Sequence, residues 1–316
     1  MSGPVQPPSR RTIARLLIDG AFLTVMLVPL GLAVIILSGM KNQYADFLAQ
    51  FAGPALLGAA ALTAVLAVAR LKHSAILGGV ATLLLGIAVW PQWAPSGPRA
   101  ETGAPVIRLY FSNTHVLNAD VAAITASIAE AKPDVVVLTE LGPETTAALD
   151  RVLLAWPNRA QVGPTIVASR WPLEPFESPA DGLDASVAQV QTPLGKMTIV
   201  GAHLTRPWPF TESWGQISQT MALQARLAGH PGPKLVAGDF NSVSSARIGD
   251  QIRNDIGLHP APGFPGTWPT EAPAVAGITI DQVYASDDLA FVSRRLGLKN
   301  GSDHRPVVVE VTRAAR

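Results

Sequence analysis

Seven residues carry side chains of the kinds that chemistry at phosphorus uses: Asn113, Glu140, His203, Asp239, Asn241, Asp303 and His304. Each is read at a strand end or in a loop, where an apolar run gives way to polar residues. A hard divalent cation such as Mg²⁺ takes carboxylate oxygens and water, and usually binds through one or two carboxylates together with a phosphate. In-line displacement at phosphorus also needs a group that activates water. Donors must in addition neutralise the charge growing on the phosphate oxygens, and His, Asn and the metal suit these tasks. Singly, each residue has a blander reading, because a strand-end Asp or Asn is usually a cap or turn residue. Their weight lies in the set.

The elements that must position them follow from hydrophobic patterning. Residues 106–113 alternate apolar and polar and stop at a polar cluster, which predicts a half-buried strand whose end points at solvent or a site. Asn118 or Asp120 can cap the next helix, with Val121, Ile124 and Ile128 at its buried spacing, and Lys132-Pro133-Asp134 ends it. Val135, Val136, Val137 and Leu138 then make a continuous apolar strand terminating in Thr139-Glu140. The same order recurs where 197–202 ends at His203, 235–237 ends at Asp239 and 281–284 begins another strand. Residues 165–168 and 306–311 add two more strands, and helices are expected over 144–154 and 216–228. Strands and helices alternate without a repeat, which favours one α/β layered domain over 106–316.

Composition narrows what this domain can do. The chain has no cysteine, which excludes disulfides, thiolate metal sites and a cysteine nucleophile and is compatible with a reducing or an oxidising compartment. From residue 105 to 316 there are 17 Lys and Arg against 20 Asp and Glu, a net charge of −3. That is not a nucleic-acid-binding balance.

The N-terminal third differs in kind. A bilayer core of roughly 30 Å needs about 20 apolar residues in a helix, and residues 20–39 are uncharged and rich in Leu, Val and Ile. A second apolar run covers 48–69, and a third covers 74–90, closing on Trp90 and Trp93 as interfacial aromatics would. Three transmembrane helices are expected within 16–90. A cleaved signal peptide fits less well, because the first run exceeds the usual h-region of about 7–15 residues and lacks a clear small-x-small site after it. Pro29 is compatible with the first helix, at the cost of a kink. Asp19 is expected at the headgroup edge. Arg10, Arg11 and Arg15 precede the first helix, and Arg70 and Lys72 lie between the second and third, so both segments belong on the cytoplasmic side. The loop containing Lys41 and Asp46 then lies outside, as does everything after the third span. The expected order is a cytoplasmic segment 1–15, the membrane region 16–90, a Pro-, Ala- and Gly-containing linker 91–105 and an extracytoplasmic domain 106–316 of a multi-pass cell-membrane protein.

The succession Asn113, Pro-Asp-Val-Val-Val-Leu-Thr-Glu140, Ser-Arg170, His203-Leu-Thr-Arg-Pro, Gly-Asp239-Phe-Asn241-Ser, Ile-Asp281-Gln-Val and Ser-Asp303-His304-Arg-Pro resembles the motif order of the endonuclease/exonuclease/phosphatase superfamily. The resemblance spans about 106–311. Gly-Asp-Phe-Asn followed some sixty residues later by Ser-Asp-His-Arg-Pro is specific as a combination, although no single motif would suffice.

The resemblance implies a DNase I-like fold, a two-sheet sandwich flanked by helices with the site at one edge. It implies Mg²⁺ as cofactor, with Mn²⁺ the alternative, held principally by Glu140 with help from Asn113 and Asp303. Asp239 would orient or deprotonate the attacking water while Asn241 holds a phosphate oxygen. His304, paired with Asp281, and His203 would bind and protonate the phosphoester oxygens. Arg170 is a further candidate for substrate binding. The motifs leave open which group is the general base. Gln282 departs from the His or Tyr that many relatives carry after the Asp, with little consequence expected. His115 lies close to Asn113, but nothing in its context assigns it a role, and Arg206, Trp208 and Trp214 are candidates for the cleft rim.

The superfamily includes DNA nucleases, inositol-phosphate phosphatases and sphingomyelinases, so a shared site fixes the bond and leaves the leaving group open. An outward-facing, net-negative site at a membrane suits a phosphorylated small molecule or lipid at the same surface better than a long polyanion. The arrangement also resembles membrane-anchored relatives associated with glycopeptide resistance, whose proposed targets are envelope lipid pyrophosphates. The expected function is metal-dependent hydrolysis of a lipid-linked or envelope phosphoester. The alternatives are an anchored DNA nuclease and a binding protein that kept the fold and lost catalysis. The bilayer is the expected partner, nucleic acid is disfavoured, and no protein partner can be inferred.

Overall fold

A computed structural model describes residues 9–212 and 214–315, so part of the expected segment 1–15 lies outside the described residues. The chain forms two compact units, Met1–Met40 with Phe51–Val89 and Lys41–Gln50 with Trp90–Arg316. Four helices open it: α1 (Arg10–Leu37), α2 (Gln43–Ala49), α3 (Ala52–Val68) and α4 (Lys72–Trp93). Of these, α2 belongs to the second unit.

In the first unit, α1 and α4 are each long and apolar enough to cross a membrane. The expected second span, 48–69, is not one straight helix. It is broken between α2 and α3, so the region holds two candidate spans, or three if the bent pair counts as one. Pro54, in the first turn of α3, has no N–H to bond the carbonyl of Gln50, which suits it to a helix start and weakens any continuation back into α2. Asp19, expected at the headgroup edge, is buried and accepts from the backbone N of Ser74 at 3.0 Å, with His73 Nδ1 at 2.8 Å. Arg15 donates to the carbonyls of Ala69 and Arg70 at the C-terminus of α3, where helix carbonyls lack partners. At Gly78 a Cβ would lie 2.3 Å from Thr63 Oγ1, so the close approach of α3 and α4 requires glycine.

The second unit continues with β1 (Ile107–Asn113), α5 (Val121–Ala131), β2 (Val135–Thr139), α6 (Pro143–Ala147), α7 (Leu149–Val152), β3 (Asn158–Val162) and β4 (Thr165–Ser169). Next come β5 (Leu173–Pro175), β6 (Asp184–Thr192), β7 (Gly195–His203), α8 (Gly215–Ala228), β8 (Lys234–Asp239) and α9 (Arg247–Gln251). The chain closes with β9 (Leu258–Pro260), β10 (Asp281–Ser286), β11 (Leu289–Leu296) and β12 (Val307–Arg313). The helix expected over 144–154 is divided into α6 and α7.

These strands form two six-stranded sheets, ordered β11-β12-β1-β2-β4-β3 and β5-β6-β7-β8-β10-β9. Each sheet contains one parallel pair, β1 with β2 and β7 with β8, joined through α5 and α8 respectively, and its other pairs are antiparallel. Leu109, Phe111, Val137, Val167, Ile199, Leu235, Val283 and Val309 fill the space between the sheets. On the outer faces, Ile124, Ile128 and Leu153 pack over one sheet, and Leu223, Leu227 and Ile248 over the other. Central strands covered on both faces explain the unbroken apolar run of β2. This is the two-sheet sandwich flanked by helices that the motifs implied.

The stretch expected to be a linker, 91–105, is strapped to the domain. Helix α4 continues to Trp93, Gln92 accepts from the Gly263 N–H at 2.8 Å, and Glu101 donates to the carbonyl of Arg313 at 2.9 Å. Its Pro and Gly content gives irregular backbone, but main-chain hydrogen bonds hold it.

Candidate active site

Parallel pairing brings the C-terminal ends of neighbouring strands to one edge. In the first sheet that edge carries Asn113, paired with Thr139, and then Glu140. In the second sheet His203 is the register partner of Asp239, and Asp239 of Asp281, so an imidazole and two carboxylates stand in a row across β7, β8 and β10. The row depends on Gly238: a Cβ there would lie 2.2 Å from the carbonyl oxygen of Ala202. The motif glycine therefore permits the close approach of β7 and β8 immediately before the site.

Asp239 is the hub. It is 1% exposed, accepts from Asn113 Nδ2 at 3.0 Å and from the backbone N of Asn241 at 2.8 Å, and lies 3.8 Å from His203 Nε2 and 3.9 Å from His304 Nε2. Asn113 Nδ2 also donates to Glu140 Oε1 at 3.0 Å, and His203 Nε2 stands 3.3 Å from the same oxygen. Asn241 Nδ2 donates to the carbonyl of Leu204 at 2.8 Å and lies 3.4 Å from His203 Nε2. His304 Nδ1 is 2.9 Å from Asp281 Oδ2. Two of these residues, Glu140 and Asn241, and the neighbouring His115 are strained, with φ of 51°, 47° and 59°, a region costing non-glycine residues about 1–2 kcal/mol each.

Burial raises the Asp239 carboxyl well above its ordinary range; the charge of His304 opposes this and that of Asp281 adds to it. Burial alone would lower His304, but the negative charges of Asp281 and Asp239 overcome it and push the imidazole up to about 10. The site thus pairs a proton-acceptor carboxylate with an imidazolium able to donate, a division of roles that acid–base chemistry needs.

The donor set fits a hard divalent cation. Glu140, His203 and Asp239 hold potential ligand atoms within 4.8 Å of one another, as do Asp239, Asp281 and His304. The latter group is engaged in its own buried ion pair, which leaves the Glu140 side as the better cation site. Asp303 Oδ1 is buried and makes no hydrogen bond; the charged group nearest it is His115 Nδ1, at 3.3 Å. Asn113 fits the metal role less well. Its Oδ1 accepts from the His115 N–H at 2.9 Å and its Nδ2 faces the carboxylates, so it orients Glu140 and Asp239 and turns its donor side to them.

Arg170 is not part of this group. It follows β4, which runs antiparallel to β2, and Ser169 pairs with Val135 at the end of β2 away from Glu140. There Arg170 lies over Trp156, 5.7 Å from the ring, and 3.8 Å from Asp134. Reversal of the strand carries it to the opposite edge, which overturns its expected role in substrate binding. Gln282 accepts from Tyr284 OH at 2.8 Å and donates to the carbonyl of Ser242, a positioning role for the loop after Asn241.

Two residues of the site carried no usable signal in the sequence. His115 Nδ1 lies 3.3 Å from Asp303 Oδ1 and 3.9 Å from Glu140 Oε2, between two motifs far apart in the chain. Asp184 opens β6 as the register partner of His203 and lies 3.9 Å from its Nδ1. Only strand pairing reveals it.

A family model described as Endonuclease/Exonuclease/phosphatase family matches residues 111–304. The search of curated proteins found no match. Among solved structures, the fold is similar to an endonuclease/exonuclease/phosphatase from Bacteroides vulgatus at 15% identity, covering 66% of this chain and 99% of that one with a TM-score of 0.56. It is also similar to D. rerio TDP2 complexed with single strand DNA product, at 17% identity, 66% and 99% coverage and a TM-score of 0.52. Beta toxin from Staphylococcus aureus matches at 12% identity, 64% and 99% coverage and a TM-score of 0.51. At such identities the likeness shows the fold alone.

Proposed function

Because this chain belongs to the endonuclease/exonuclease/phosphatase family, we propose that it is a membrane-anchored, divalent-metal-dependent phosphoesterase acting on a lipid-linked or other cell-envelope phosphoester or pyrophosphate. The observation that carries the hydrolase reading is the convergence on Asp239, a buried carboxylate ringed by Asn113, His203 and His304 beside the Glu140 donor set.

Asp239 orients water and accepts its proton, since burial has raised its affinity for one. Asn241 offers its side-chain amide to a phosphate oxygen from a backbone fixed by Asp239. His304, held as an imidazolium by Asp281, donates to the phosphoester oxygens, and His203 does so from the opposite side of Asp239. Bound by Glu140 and Asp303, Mg²⁺ or Mn²⁺ would supply positive charge to the phosphate oxygens.

The substrate class rests on the anchor and on charge. The apolar helices hold the site near a bilayer, and a domain charge of −3 disfavours long polyanions. The side of the membrane is supported by the basic residues before α1 and between α3 and α4. It is supported further because Lys41–Gln50 and the catalytic domain form one compact unit, which requires both to lie on the same side.

The test is phosphate or phosphomonoester release by detergent-solubilised protein, with Mg²⁺ and with chelator, from prenyl pyrophosphate, phospholipid and DNA in parallel. Metal-dependent release from a lipid substrate alone is the expected result. Cleavage of DNA alone would make this an anchored nuclease, and activity unaffected by chelator would refute the metal-dependent reading.

A further inference from the structure

The segment joining the first two apolar helices forms part of the catalytic unit. Asn42 caps α2 by accepting from the backbone N of Tyr44 and Ala45 at 3.0 and 2.9 Å. Asp46 is paired with Arg247 at 2.5 Å, and the rings of Tyr44 and Phe47 meet Trp208 edge-on at 4.8 and 6.5 Å. Arg247 opens α9 and Trp208 lies in the loop after His203, so the segment is fixed to elements on both sides of the site motifs.

The last residue of this segment reaches the site. Gln50, only 7% exposed, donates from Nε2 to the carbonyl oxygen of Asn241 at 3.2 Å. Gln216, at the start of α8, donates to the same oxygen at 3.1 Å. Asn241 has φ of 47°, a conformation that relaxes unless its surroundings hold it. Two buried amides from distant parts of the chain therefore grip the one backbone carbonyl whose orientation sets where the Asn241 side chain points. We propose that Gln50 is a positioning residue for the phosphoester site, acting through the Asn241 backbone to hold the Asn241 amide beside His203 and Asp239. A soluble fragment beginning after the apolar helices would lack this donor.

The kinetic consequence rests on the phosphoesterase reading; the clamp itself does not. The test compares full-length protein in detergent with Gln50→Met, which keeps the side-chain volume and removes the donor, and with Gln50→Glu, which sets an acceptor against the carbonyl. Two readouts are taken: Mg²⁺-dependent hydrolysis of bis-p-nitrophenyl phosphate, and hydrogen exchange over residues 239–243. Both variants should exchange faster there and lose about tenfold or more in kcat with KM changed by less than about twofold, because a small misplacement of a catalytic group is costly. Retention of wild-type kcat by Gln50→Met would overturn the proposal, since a packing role survives that change. Should wild type hydrolyse nothing, the phosphoesterase reading falls on its own, and unchanged exchange in the variants would then overturn the clamp independently.

Discussion

His304 and Asp281 are joined through Nδ1 and Oδ2 at 2.9 Å, and both are buried, although they come from separate motifs 23 residues apart. One is the first residue of β10 and the other lies in the loop entering β12, and the pair faces Asp239 across the sheet edge. Its charge balance makes the imidazole a proton donor at neutral pH.

Replacing Asp281 by Asn should lower the His304 pKa, and turnover should fall by about a hundredfold, the scale of an acid–base group. In metal-free protein, NMR of the imidazole should show wild-type His304 still protonated at about pH 8, because its pKa is held up to about 10. The raised value also gives the sign of the stability change. The contribution is fully present below the unfolded value of about 6.5 and is lost as pH rises through about 10. A variant that titrates like wild type would refute the pairing.

Glu140→Gln should abolish Mg²⁺-dependent turnover and weaken Mg²⁺ binding measured by calorimetry, since it removes the charge at the better cation site. Binding as tight as wild type would move the cation to another set of ligands.

Asp239→Ala should lower turnover by at least about a hundredfold, and folded content by circular dichroism should be retained. Near-wild-type rates would remove Asp239 from its role as hub.

Arg170→Ala should leave kcat and KM within about twofold of wild type, because the residue sits at the far edge of its sheet. Loss of its contact with Trp156 should cost about 0.5–1 kcal/mol in urea unfolding. A large KM effect would return it to the substrate site.

Gly238→Ala should destabilise the domain by about 3 kcal/mol, since its Cβ would collide with the carbonyl of Ala202 and separate β7 from β8. The melting temperature reports the loss. Activity should fall as well, because the same displacement parts His203 from Asp239.

The sequence by itself determined what hydrogen-bonding period and local chemistry can encode. Alternation up to Asn113, the apolar run ending in Glu140 and the strands ending at His203 and Asp239 were legible because each strand end is a local event. The order of motifs then pointed to a two-sheet fold and to most of the residues gathered at its edge. What the sequence could not state is which strand lies beside which, and in which direction. Antiparallel pairing carried Arg170 to the wrong edge and brought Asp184 opposite His203, and neither outcome follows from spacing along the chain. His115 acquires its place only when the loop after β1 meets Asp303, and Gln50 only when the break before Pro54 frees α2 to pack on the catalytic unit. Side chains read as loop or span become parts of a site through contacts between residues far apart in sequence, and those contacts exist only in the folded chain.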